Sequence, residues 1–265
     1  MSAVKCMFCS GGTSKEHIVP KWMIRDCDLF QIPMKLAFGH QNSAGKFETI
    51  TEEMSPYRFY TCEVCETCNN GWMSRLEQSA QKILAPLLEV PVPASENEFV
   101  RGLFTQSHLL TLWLLKTCAT FGKKWAIHVP TWILEALPLK RIPPCVYADI
   151  SIVDQCGFYL GMSRQWTVAI DDQLGTRENQ DSFRLTWQIN HLVLRLSHFP
   201  FAEKHQLKPR YPVCLYPRFK VGCDIIEEGI AKRRYRYQTL EQLEHETVFV
   251  ARKQMDPLHP LSRGR

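Results

Sequence analysis

The stretch Cys65-Glu66-Thr67-Cys68-Asn69-Asn70-Gly71-Trp72-Met73-Ser74-Arg75-Leu76-Glu77 decides how this chain is read. Its Cys-x-x-Cys turn puts two thiols on one side of a tight loop. The asparagines that follow stand at the amino end of a helix expected from about residue 69 to 88. Trp72, Leu76, Ile83 and Leu87 share one face of that helix, and Pro86 kinks it. A matching knuckle, Cys6/Cys9, lies near the amino terminus. With eleven cysteines in the chain, random placement would yield about 0.5 such pairs. Three are present: Cys6/Cys9, Cys62/Cys65 and Cys65/Cys68. The last runs straight into the helix, so Cys6, Cys9, Cys65 and Cys68 form the expected four-ligand set and Cys62 is left as a spare thiol. The remaining cysteines are scattered singly and read as small buried apolar residues.

Two knuckles separated by 55 residues suit a tetrahedral zinc ion. Closing that span costs about 3–4 kcal/mol, whereas structural zinc returns about 10–16 kcal/mol. Metal binding therefore dominates. Four thiolates leave no open coordination position, so this zinc is expected to be structural.

The 265 residues are 45% hydrophobic and 22% charged, which suits one large or two small globular domains and excludes a collagenous, disordered or disulfide-stapled chain. The longest apolar run, Leu109 to Leu115, ends at Lys116, well short of the roughly 20 residues that span a bilayer. The opening MSAVKCMFCSGG lacks the apolar core of a secretory signal, so a cytoplasmic protein with thiol cysteines is expected. Net charge is +5, and from Lys204 onward 13 Lys/Arg face 7 Asp/Glu. Arg233 and Arg234, within Lys232-Arg233-Arg234-Tyr235-Arg236, are candidates to grip an acidic polymer.

Val90-Pro91-Val92-Pro93 marks the expected boundary between a module at 1–90 and a domain at 95–265. In the first, residues 15–19 read as a strand ending at Pro20, residues 21–30 as a helix and residues 36–60 as a hairpin. In the second, a long helix over 99–121 presents Leu103, Leu110, Trp113 and Leu114. Strands are expected at 125–129, 146–153, 158–162, 166–170, 183–189 and 192–196. The expected class is α+β, with an antiparallel sheet packed on the long helix.

Glu16-His17 follows the first knuckle and Asn69-Asn70 follows the second, so one zinc-braced fold can gather an imidazole, a carboxylate and an amide oxygen around one point. Phosphodiester hydrolysis needs such a set: a base near neutral pKa for water, and hard oxygen ligands for a divalent cation.

The pattern Cys-x-x-Cys, Glu-His-Ile-Val-Pro, then Cys-x-x-Cys-Asn-Asn-Gly-Trp-Met-Ser-Arg-Leu-Glu resembles the HNH endonucleases over roughly residues 4 to 89. That resemblance implies a ββα-metal core braced by a treble-clef zinc site. It makes His17 the general base, and makes Glu16 and Asn69 ligands of a catalytic Mg²⁺ or Mn²⁺. Asn70 is the alternative to Asn69. The residue before the base is more often Asp or His in the family, and its middle Asn has no clear match here, Asn42 being the nearest. The long separation between His17 and the second knuckle requires residues 22–60 to loop out. Lys15, Lys21 and Arg75 are placed to meet phosphates. The implied activity is metal-dependent cleavage of nucleic acid, DNA ahead of RNA, in a setting such as defence against foreign DNA, with a homodimer suited to cutting two strands. The competing reading is a zinc-stabilised nucleic-acid-binding module without catalysis.

Overall fold

Pro20 separates the first strand, β1 (Ser14–His17), from the first helix, α1 (Lys21–Asp26). Its ring lacks the N–H that a helix start leaves unpaired, while its carbonyl accepts the Ile24 N–H at 3.1 Å. These elements come from a computed structural model that describes residues 5–26, 33–41, 47–88, 102–103, 105–125, 129–163, 165–170, 173–178, 183–198, 205–209, 213–216, 236–246 and 249–253.

The looped-out segment contains β2 (Met34–Gln41) and β3 (Phe47–Met54), a hairpin in register from Met34 opposite Met54 to Gln41 opposite Phe47. A single 3₁₀ turn at Pro56–Arg58 reverses the chain into β4 (Tyr60–Val64), which pairs antiparallel with β1. The second knuckle follows in α2 (Glu66–Cys68), then a wide π-type turn at Asn69–Met73, then α3 (Ser74–Leu88). The expected helix from Asn69 therefore becomes regular only at Ser74, because Gly71 adopts a non-helical conformation (φ −89°, ψ −109°).

Helix α4 (Ser107–Lys124) is the spine of the molecule, followed by the short α5 (Thr131–Ala136). Every residue from Leu110 to Gly122 is buried, Lys116 included, so the helix is enclosed on all sides and not only on the wide apolar face expected. Two long strands pack on it, β5 (Val146–Ser163) and β8 (Phe183–His198); between them in sequence come β6 (Gln165–Ile170) and β7 (Gln173–Glu178). After β8 come β9 (His205–Pro209), β10 (Val213–Tyr216), β11 (Arg236–Tyr237), α6 (Leu240–Glu246) and β12 (Phe249–Lys253).

Strand β5 organises the main sheet. One edge pairs with β8 along its whole length; the other takes β10, β11 and β2 in succession. The runs expected as separate strands at 146–153 and 158–162 are thus one strand, with its register shifted between Ile152 and Gly157. The class is mixed α+β, but the expected antiparallel sheet is a mixed one. Strands β2 and β11 run parallel to β5, and in the four-stranded sheet β7-β6-β12-β9 the β12/β6 pair is parallel. Hairpin rules do not fix the direction of strands that reach an open edge from distant parts of the chain. The strand expected at 125–129 is not formed at its ends: Trp125 caps α4 and Val129 lies outside any strand, while residues 126–128 fall outside the described set.

One hydrophobic core joins the two halves. Ile18, Val19, Trp22, Met23 and Phe59 share it with Leu110, Trp113 and Leu114 of α4 and with Ile150, Trp187 and Leu194 of the sheet. Trp113 and Trp187 stack at 4.8 Å with 15° between their planes. No helix among the described residues is long and apolar enough to cross a membrane.

Candidate functional site

The two knuckles meet. The Sγ atoms of Cys6, Cys9, Cys65 and Cys68 all lie within 4.8 Å of one another. Cys9 Sγ is 3.4 Å from Cys65 Sγ and 3.5 Å from Cys68 Sγ. Ligands about 2.3 Å from a tetrahedral zinc stand about 3.8 Å apart, so the set fits that ion. Backbone N–H groups already point at the sulfurs: Phe8 N–H donates to Cys6 Sγ at 3.4 Å and Cys68 N–H to Cys65 Sγ at 3.3 Å. The latter bond, with help from the neighbouring thiols, lowers the Cys65 pKa to about 7, whereas burial and the Cys9 and Cys65 thiols push Cys68 up. Met7 N–H donates to the Glu63 carbonyl at 2.8 Å, tying the first knuckle to β4. The side chain of Cys62 falls outside the described residues.

Beside this cluster lies a cleft of about 290 Å³ lined by Lys15, Glu16, His17, Lys21, Asn69 and Asn70, among others. The β1/β4 pair carries Glu16 and His17, and the turn after the second knuckle carries the asparagines. The Asn69 Nδ2 donates to the Lys15 carbonyl at 3.1 Å and so ties the two segments together. The His17 Nδ1 is buried without a hydrogen-bond partner, and Asn42, the nearest match for an orienting amide, lies outside the described residues. Burial lowers the His17 pKa, and the positive charges of Lys21, Lys116 and Lys15 lower it further.

Glu16 is engaged in a way its sequence position does not announce. Successive strand residues face opposite sides. Glu16 is buried, and its Oε1 accepts from the Lys116 Nζ at 2.9 Å; the same ammonium donates to Glu77 Oε1 at 2.6 Å. Glu77 Oε2 also accepts from Trp22 Nε1 at 3.2 Å. Lys116 is fully buried; burial lowers its pKa, but the two carboxylates outweigh that and raise it above the usual value. Among the described residues, the four cysteines are the only close group of three or more His, Cys, Asp or Glu donors, so Glu16 and His17 do not belong to a second one.

Of the expected phosphate contacts, Lys15 and Lys21 line the cleft, Arg75 is exposed on α3 away from its lining, and Arg233 and Arg234 lie outside the described residues. Lys116 and Glu77 went unnoticed in the sequence as site residues. The available signal was a lysine directly after the apolar run Leu109 to Leu115, inside the expected long helix, since a charge buried there needs a charged partner.

Comparison with known proteins finds no matching family model, no matching curated protein and no matching solved structure.

Proposed function

We propose that this protein is a metal-dependent endonuclease of the HNH type, cleaving nucleic-acid phosphodiesters with DNA as the preferred substrate. The observation that carries the reading is that His17 and Asn69, 52 positions apart, line one cleft with Lys15 and Lys21 beside a four-cysteine cluster. In this reading the strand pair β1/β4 and helix α3 form the ββα unit, and the cysteine cluster is its treble-clef zinc site.

Neutral His17 takes a proton from the attacking water, a task suited to an imidazole whose pKa sits below its usual value. Lys15 and Lys21 draw the phosphate into the cleft. Asn69, or Asn70 beside it, and the Glu16 oxygen not held by Lys116 are hard donors that fit Mg²⁺ or Mn²⁺ completed by phosphate oxygens. Such an ion would neutralise charge on the phosphate and on the departing oxygen. Lys116 fixes the Glu16 carboxylate in place.

The same Lys116–Glu16 ion pair favours a second reading, a nucleic-acid-binding module without catalysis, because an oxygen of Glu16 is already engaged by an ammonium instead of being open to a metal. Purified protein incubated with plasmid DNA and with structured RNA in Mg²⁺, Mn²⁺ or EDTA separates the two. The nuclease reading expects divalent-dependent cleavage that His17→Ala reduces by about 10²–10⁴-fold while zinc content and binding persist. Binding without cleavage under every metal condition establishes the second reading.

A further inference from the structure

Tyr57 stands against His17 and is 52% exposed. Its ring centroid lies 5.4 Å from that of His17, with 36° between the planes. The turn that carries it is clamped from both sides. Pro56 is buried, the Arg58 N–H donates to the Ser55 carbonyl at 2.9 Å and the Phe59 N–H to the Pro56 carbonyl at 3.1 Å. Phe59 is fully buried edge-on against Phe121 of α4 at 5.6 Å. A half-exposed aromatic ring is thus carried on a turn that the buried Pro56 before it and Phe59 after it anchor to the interior.

Cations lie over a second ring beside His17. Tyr60 lies 6.2 Å from His17, with the Lys15 Nζ over its face at 4.9 Å and the Lys124 Nζ at 5.7 Å. Lys15, Lys21 and Lys124 are all exposed. A half-exposed ring and a second ring carrying ammonium groups, both beside His17, match a ligand with a flat face and a polyanionic backbone. In a duplex, base faces are covered by neighbouring base pairs, so the ring can stack only on a base that is unpaired or turned out of the helix.

We propose that Tyr57 is a stacking platform for an unpaired nucleobase next to the phosphate in the His17 cleft, with Lys15 and Lys124 holding the flanking phosphates. This rests on the nucleic-acid reading of the cleft and adds to it a preference for single-stranded or locally opened substrate.

The test uses full-length His17→Ala protein, which binds without cutting, and a DNA strand of about twelve nucleotides carrying one 2-aminopurine, alone and in duplex. The expected result is quenched fluorescence and tighter binding for the single strand. Tyr57→Ala weakens that binding by about 5- to 150-fold and removes the quench, whereas Tyr57→Phe and Tyr57→Trp retain both. Lys124→Ala weakens single and double strands alike and reduces the salt slope by about one. Zinc content and circular dichroism matching the parent certify each variant's fold. If Tyr57→Ala binds and quenches as the parent does, or if duplex binds as tightly as single strand, the platform is wrong and the nucleic-acid reading stands. If neither probe binds the parent, that reading falls and takes the platform with it.

Discussion

His17 and Lys116 are the two residues whose surroundings most restrict what the cleft can do. Burial and three nearby ammonium groups disfavour the imidazolium form of His17, so the neutral base persists at lower pH than for a free histidine. The acid limb of a pH–rate profile is therefore expected to have its midpoint below 6.5. Removing a cation with Lys21→Gln should move that midpoint upward, toward the free value. A midpoint above 6.5 in the parent would argue against His17 as the base. Lys116 makes a prediction about stability. Lys116→Met leaves the buried Glu16 and the partly buried Glu77 without their shared cation, at a cost of about 3–5 kcal/mol, readable by urea denaturation. Adding Glu77→Gln should recover part of the loss; a single substitution that left stability unchanged would show that the ion pairs of 2.9 and 2.6 Å contribute nothing.

Among the elements, the two knuckles determine where β1 and the start of α3 meet. The small cluster of Cys6, Val64, Cys65, Cys68 and Met73 is packed only by Met7, Phe8 and Trp72 among the described residues, so a metal on its four cysteines is expected to carry much of its stability. Elemental analysis of freshly purified protein is expected to give about one zinc per chain, and its removal by a strong chelator should lower the melting temperature and any activity together. Cys68→Ala should do the same, because it empties a position within 3.5 Å of Cys9. Zinc-free protein with unaltered melting would remove the structural metal from the account. Most of this level was legible in the sequence, since knuckle spacing and the Pro20 stop depend on local chemistry. The π-type turn after Cys68 was less so, because it depends on how Gly71 relieves the junction between the knuckle and the helix.

For the molecule as a whole, the consequence is that the amino-terminal module and the long helix are not energetically separate. Ile18, Val19, Trp22, Met23 and Phe59 complete a core that α4 and the main sheet supply, and β2 hydrogen-bonds to β5 across the expected boundary near residue 90. Each such side chain exposed by truncation forfeits about 1.5–3 kcal/mol. A fragment of residues 1–90 is accordingly expected to bind zinc through its cysteines yet show no cooperative thermal transition by circular dichroism. A sharp transition from that fragment would show the module to be an autonomous domain.

Local chemistry alone determined the four-cysteine set, the adjacency of Glu16 and His17, and the largely apolar character of α4, because residue type at fixed spacing specifies each of them. The tertiary structure alone decided that Glu16 faces a buried ammonium one hundred positions away, that Tyr57 stands beside His17, and that the sheet takes parallel strands at its open edge. These depend on which surfaces meet once apolar faces leave water, and no periodicity in the chain encodes a partner that distant.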